Sequence, residues 1–185
     1  MSEKHFIKTV TSPLDTVCRG ARVEVTIERL LLQLHLWSND FQQETSATAV
    51  RVLFRSLGKC RLNTLGIEQR MIDSDGIQHA ELDTFGLTNS FRVGPKPNSS
   101  FTIECLTPAR EIEAQAAVRG WILFPALESN VYPRRLIFRF EIWHEHASED
   151  DDVYETIEHV LTLDLGNESP LSLLPSPDTL PADEA

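Results

Sequence analysis

The chain has 185 residues, enough to fill one domain and a tight fit for two. Its 41% hydrophobic residues supply core material, while 28 Asp and Glu against 17 Lys and Arg leave a formal net charge of -11. A field of that sign repels phosphate backbones, so nucleic acid is not an expected partner. No apolar run of signal-peptide length precedes Cys18, and no stretch approaches the roughly 18 apolar residues of a membrane span. A cytoplasmic protein with no membrane contact is the expectation.

The dominant pattern has period two. Val23, Val25 and Ile27 alternate with Arg22, Glu24 and Thr26, as in a strand with one dry face and one wet face. The parity then changes to Leu30, Leu32, Leu34 and Leu36, which a bulge near Glu28-Arg29 explains. Val50, Val52 and Phe54 continue the pattern. Asp75-Gly76 lies between two extended segments, which is a hairpin turn signal, and Asp73 can bond backbone donors two residues on.

Further strands are predicted at Leu87–Val93 and Phe101–Leu106. The stretch Pro108–Val118 combines good helix formers with a Thr107 cap, and predicts one short helix, the alternative being a loop that leads into an edge strand. Gly120–Pro125 and Leu136–Trp143 are strongly apolar strands; in the second, Leu136, Phe138, Phe140 and Ile142 face inward. Glu158–Leu165 gives a last strand. Beyond Gly166 prolines are spread through small and acidic residues, as in a flexible tail. The expected division is an extension over 1–20, a sandwich over 21–166 and a tail over 167–185. Many strands and at most one helix point to an all-β, two-sheet sandwich, with a ligand-holding barrel as the structural rival.

Three segments, in order, carry a resemblance: Ile72-Asp73-Ser74-Asp75-Gly76, then Arg119-Gly120-Trp121-Ile122-Leu123-Phe124-Pro125, then Arg135-Leu136-Ile137-Phe138-Arg139-Phe140. Val23–Leu34 and Thr48–Phe54 take the places of the opening strands. Together these resemble the telokin-like, immunoglobulin-type domains of unknown function in bacterial envelope proteins. The resemblance covers about Val23 to Leu165. It implies an immunoglobulin-like sandwich and supplies no catalytic residue.

His144-Glu145-His146 is the one metal-like motif, because alternate imidazoles on a strand share a side. Asp151 of the acidic run Glu149–Asp152 offers an oxygen ligand, and His159 on the next strand offers a third nitrogen. The competing reading is a solvated strand end. Asp73–Gly76 is not a calcium loop, since position twelve falls at Thr84. Cys18, Cys60 and Cys105 form no local thiolate knuckle, and Cys105 reads as a small buried hydrophobe. Arg51, Arg55, Arg61, Arg70, Arg134, Arg135 and Arg139 are candidates for one basic face, against the alternative of scattered ion pairs. If the Phe138 row fills the core, Ile137, Arg139 and Trp143 point outward and form an interaction strip.

These features favour a non-catalytic interaction or scaffold module acting through a sheet face or edge, on another protein or a second copy. No cofactor is expected. The first alternative is a divalent metal or small ligand at His144, His146 and Asp151; the second is an enzyme of unknown class, for which no catalytic constellation is found.

Overall fold

A computed structural model of the chain describes residues 6–12, 17–38, 43–59, 61–63, 69–82, 90–93, 101–106, 111–142 and 155–163. In chain order the strands are β1 (Phe6–Ser12), β2 (Val17–Arg19), β3 (Val23–Ser38), β4 (Gln43–Ser56), β5 (Leu62–Asn63), β6 (Arg70–Asp73) and β7 (Gln78–Ala80). They continue as β8 (Ser90–Val93), β9 (Phe101–Glu104), β10 (Glu111–Ile112), β11 (Ala117–Pro125), β12 (Pro133–Ile142) and β13 (Glu155–Thr162). No helix occurs among the described residues. The fold is a β-sandwich, and its strands pair almost throughout in antiparallel fashion.

Sheet A runs β1-β13-β12, after which β12 pairs with β6 near its start and with β5 near its end; β7 extends β6 and β10 extends β5. Sheet B runs β11-β4-β3-β8-β9, with β2 on the first part of β3. The first twenty residues, expected as an extension, supply a strand to each sheet. β1 lies parallel to β13, with Ser12 opposite Leu161.

Alternation decides what lies between the sheets. Phe54 on β4 meets Phe138 and Phe140 on β12 edge-on, with ring centroids 5.3 and 4.9 Å apart. That arrangement places the positive ring edge against the negative face. Val25, Val52, Ile122, Leu136, Ile142 and Leu161 are buried in the same cluster. The predicted bulge is present, as a register shift between Ile27 and Arg29.

A second cluster forms on the opposite face of β4 and β11. It gathers Leu31, Leu36, Ala47, Ala49, Cys105, Trp121 and Leu123. The strand pairings return on themselves here: β3 to β8, β8 to β9, Cys105 to Trp121 of β11, then β11 to β4 and back to β3. Another register shift between Leu31 and Leu34 accompanies this closure. One sheet of the sandwich is thus closed at one end around a small core of its own.

The helix predicted over Pro108–Val118 is not formed in its described part. Glu111 and Ile112 pair with Asn63 and Leu62, and Ala117 already pairs with Arg55. Between them the chain turns through Gln115 at φ 61°, with the Ala116 N–H donating to the Glu113 carbonyl. Strand pairing at both ends outweighs the helix propensity of the alanines. Pro108 and its neighbours to 110 lie outside the described residues, as do the segment 143–154 and the tail from 164 on.

Gly120 allows Leu106 to pass beside β11, where the Leu106 N–H donates to the Trp121 carbonyl at 2.8 Å. A Cβ at Gly120 would sit 2.6 Å from Leu106 Cγ. Gly120→Ala is therefore expected to lower stability by about 1–3 kcal/mol. Urea melts of Gly120→Ala with and without Leu106→Ala test this, since the double variant should lose less than the sum of the singles.

Candidate interaction face

The outward face of sheet A is built from β6, β12 and β13. Met71, Leu136 and Leu161 point into the core, so their neighbours point out. Ile137 stands opposite Val160 on one side and Arg70 on the other, and Arg135 stands opposite Ile72. Ile72, Ile137 and Val160 are each half-buried; Ile137 and Val160 are side by side, and Ile72 is diagonal to Ile137 on β6. The next outward pair along β12 and β13 is Arg139 and Glu158, where Arg139 Nε donates to Glu158 Oε2 at 2.7 Å. Arg135, two residues the other way along β12 and opposite Ile72, is exposed.

Two side-chain devices hold β6 in this position. Gln69 is buried just before β6 and uses its amide as a short length of strand. Its Oε1 accepts from the Arg139 N–H at 2.8 Å, and its Nε2 donates to the Arg139 carbonyl at 3.2 Å. Asp73 closes the turn to β7. Its Oδ1 accepts from the backbone N–H groups of Asp75 at 2.9 Å and Ile77 at 2.8 Å, with Gly76 at φ 84° between them. Its Oδ2 accepts from His79 Nε2 at 2.7 Å. Burial by itself would raise the Asp73 carboxyl, but the His79 hydrogen bond, the Ile77 and Asp75 donors and the attraction of His79 outweigh it. The net result is a group held below its ordinary value.

The structure separates the arginines grouped by sequence. Arg51 and Arg55 lie on sheet B, paired with Glu28 and Glu24. Arg61 meets Glu111 and Glu113 beside β10. Arg70, Arg135 and Arg139 belong to sheet A. Nearness along the chain does not select a sheet, so the single basic face is replaced by separate groups.

Of the interaction residues, Ile137 and Arg139 share the outward face, and Trp143 lies outside the described residues. So do His144, His146 and Asp151. His159 is not available to a metal beside them: it points into the core with Ile157 and Leu161, its ring 5.9 Å from Phe140. Among the described residues, no group of three or more His, Cys, Asp or Glu side chains is placed to hold a metal. Cys18 and Cys105 are buried free thiols. Burial pushes Cys105 up to about 12 and Cys18 up as well, which opposes any thiolate role.

His159 was invisible as a core residue because histidine in an alternating strand reads as a polar position. Burial pushes it down to about 4, while the Cys18 backbone pulls weakly the other way. That contact falls short of hydrogen-bond geometry, since both ring nitrogens are buried without a partner among the described residues.

Two acid responses follow, in separate windows. His159 is neutral in the fold and binds its proton more readily when unfolded. Its contribution is full above the unfolded value near 6.5 and is lost as pH falls toward about 4, on the order of 3 kcal/mol in total. His159→Leu should remove most of the decline between pH 7 and 4 in urea melts; an unchanged decline would rule out this origin. Asp73, held low, contributes above its unfolded value near 4 and loses that contribution only in stronger acid. Asp73→Ala should cost about 3 kcal/mol at pH 7, and Asp73→Asn, which retains an acceptor for the turn, should cost less.

No known family and no curated protein matches the chain. Three solved structures are similar. The yjhA protein of Bacillus subtilis is 9% identical, with 82% of this chain and 98% of that one covered at a TM-score of 0.44. An uncharacterized β-sandwich protein of Clostridium difficile 630 is 12% identical, with 85% and 97% covered at 0.36. The candidate lipoprotein ycdA of Bacillus subtilis is 14% identical at 0.41; 86% of this chain is covered, and the chain spans 41% of that protein.

Proposed function

We propose that this chain is a non-catalytic protein-interaction module of immunoglobulin-like type, working in the cytoplasm through the outward face of sheet A, with a second copy as its partner. The observation that carries the reading is the Ile137–Val160 pair with Ile72 diagonal to it. Single aliphatics are ordinary on a protein surface, but the directly opposed Ile137–Val160 pair, with Ile72 diagonal to Ile137 on the next strand, makes a half-buried apolar patch. Arg135 and the Arg139–Glu158 pair supply the polar rim that such patches carry at protein interfaces. The immunoglobulin-like and telokin-like assignment is supported by the sequence β6-β12-β13 across sheet A, which is the order of the C, F and G strands in that fold. A self-pairing sheet face is satisfied by twofold symmetry, in which each Ile137 lies near its counterpart.

Sedimentation equilibrium over a wide concentration range tests the reading. The wild-type chain should associate, and Ile137→Glu should raise the dissociation constant at least tenfold, as a charge in the centre of an apolar contact does. Because Ile137 faces outward, the same variant should melt within about 0.5 kcal/mol of wild type. A chain that stays monomeric, or an association that Ile137→Glu leaves unchanged, would overturn the proposal.

A further inference from the structure

We propose that the charged half of the outward face of sheet B is the docking surface for the chain's own acidic carboxy-terminal segment, residues 164–185. The face starts with Arg19 on β2 and crosses β3 and β4 to Arg119 on β11. Glu24 lies between Arg19 and Arg55, at 3.6 and 3.7 Å, and Glu28 lies between Arg51 and Arg119, at 3.2 and 2.8 Å. Arg29 stands opposite Arg51 in register. Among the described residues, Arg19, Arg51, Arg55 and Arg119 thus meet two glutamates on this face. The side chains of Arg19, Arg55 and Arg119 remain 69, 51 and 54% exposed although each is paired. Each glutamate is already divided between two guanidiniums, and the exposed parts of Arg19, Arg55 and Arg119 turn further N–H donors to solvent.

The complementary charge is concentrated at the other end of the chain. Residues 1–139 hold fifteen acids and all seventeen Lys and Arg. Residues 140–185 hold thirteen acids and no Lys or Arg. Of these, Asp164, Glu168, Asp178, Asp183 and Glu184 fall in the segment after β13.

Topology brings the two together. Leu161, near the end of β13, stands opposite Ser12 of β1, and four residues join Ser12 to Val17 of β2. The chain therefore leaves sheet A within about 22 Å of the strand that carries Arg19. Crossing from β2 to β11 takes three strand spacings, about 15 Å in all, whereas 22 residues reach up to about 70 Å when extended. Tethering supplies an effective concentration in the millimolar range, so modest ion pairing suffices to populate the contact. A second copy offers the same chemistry without that advantage.

The test uses the full chain, isotope-labelled, with Cys60→Ser and a nitroxide on Leu180→Cys. The remaining thiols, Cys18 and Cys105, are buried. Amide signals of Arg19, Glu24, Arg55 and Arg119 should broaden, while those of Ile137 and Val160 should not. The broadening should fade as salt shortens the screening length from about 10 Å at 0.1 M to about 3 Å at 1 M. Arg55→Gln with Arg119→Gln should weaken it. So should Asp178→Asn with Asp183→Asn and Glu184→Gln. Absent broadening, equal broadening on sheet A, or broadening that survives 1 M salt would overturn the proposal. So would equal broadening in a mixture where the nitroxide and the isotope are on different molecules, because the occupant would then be a second copy.

Discussion

The contact between Phe54 and the pair Phe138 and Phe140 holds the rest of the structure in place. β4 lies between β3 and β11 in sheet B, and β12 lies between β13 and the short strands of sheet A. The rings therefore join the middles of both sheets. Their edge-on geometry fixes the inward phase of each strand, and with it the outward phase. A slip of one residue along β12 would bring Ile137 and Arg139 into the core and expel the phenylalanines, exchanging about 1.5–3 kcal/mol per ring for a buried charge. The two candidate faces are thus consequences of one aromatic cluster: Arg51 and Arg55 point out because Phe54 points in, and Ile137 and Arg139 point out for the same reason.

The second core depends on the length of β3 and β4. The first half of β3 and the second half of β4 cover the sandwich interior, and the second half of β3 and the first half of β4 turn apolar residues to the other face. The register shifts after Ile27 and Leu31 add twist, as bulges do, and allow the sheet to curl until Cys105 reaches Trp121. Trp121 and Arg51 stand opposite each other and share a face. The boundary between the covered apolar half and the exposed charged half of sheet B runs between them. The charged half is confined to the end that the curl leaves open.

Much of this was legible in the sequence because period-two alternation has a direct physical meaning. The inward rows of β4 and β12, the bulge at Glu28-Arg29 and the Asp75-Gly76 turn all follow from side-chain direction or backbone freedom. Features that depend on tertiary partners were not legible. Glu111 and Ile112 become strand because β5 offers them a ladder, which no helix propensity can register. The side chain of Gln69 replaces a missing stretch of strand pairing, and a glutamine gives no local sign of that. His159 takes a core position that the pattern assigns to an aliphatic, and Trp121 has a second core that sequence phase places merely "outside". The arginine grouping failed for a related reason: sequence fixes the face of each strand but not which strands are neighbours.

The electrostatics show two opposite ways of holding a carboxylate. Asp73 is buried and receives two backbone donors and an imidazole, so its charge is absorbed where it lies and serves the turn. Glu24 and Glu28 are each divided between two arginines near the surface, where a single exposed pair contributes little to stability. Four such pairs cannot account for the fold; the aromatic core does that. What they do is hold long, flexible guanidiniums in a lattice at fixed spacing, which lowers the entropy that an incoming anion must overcome.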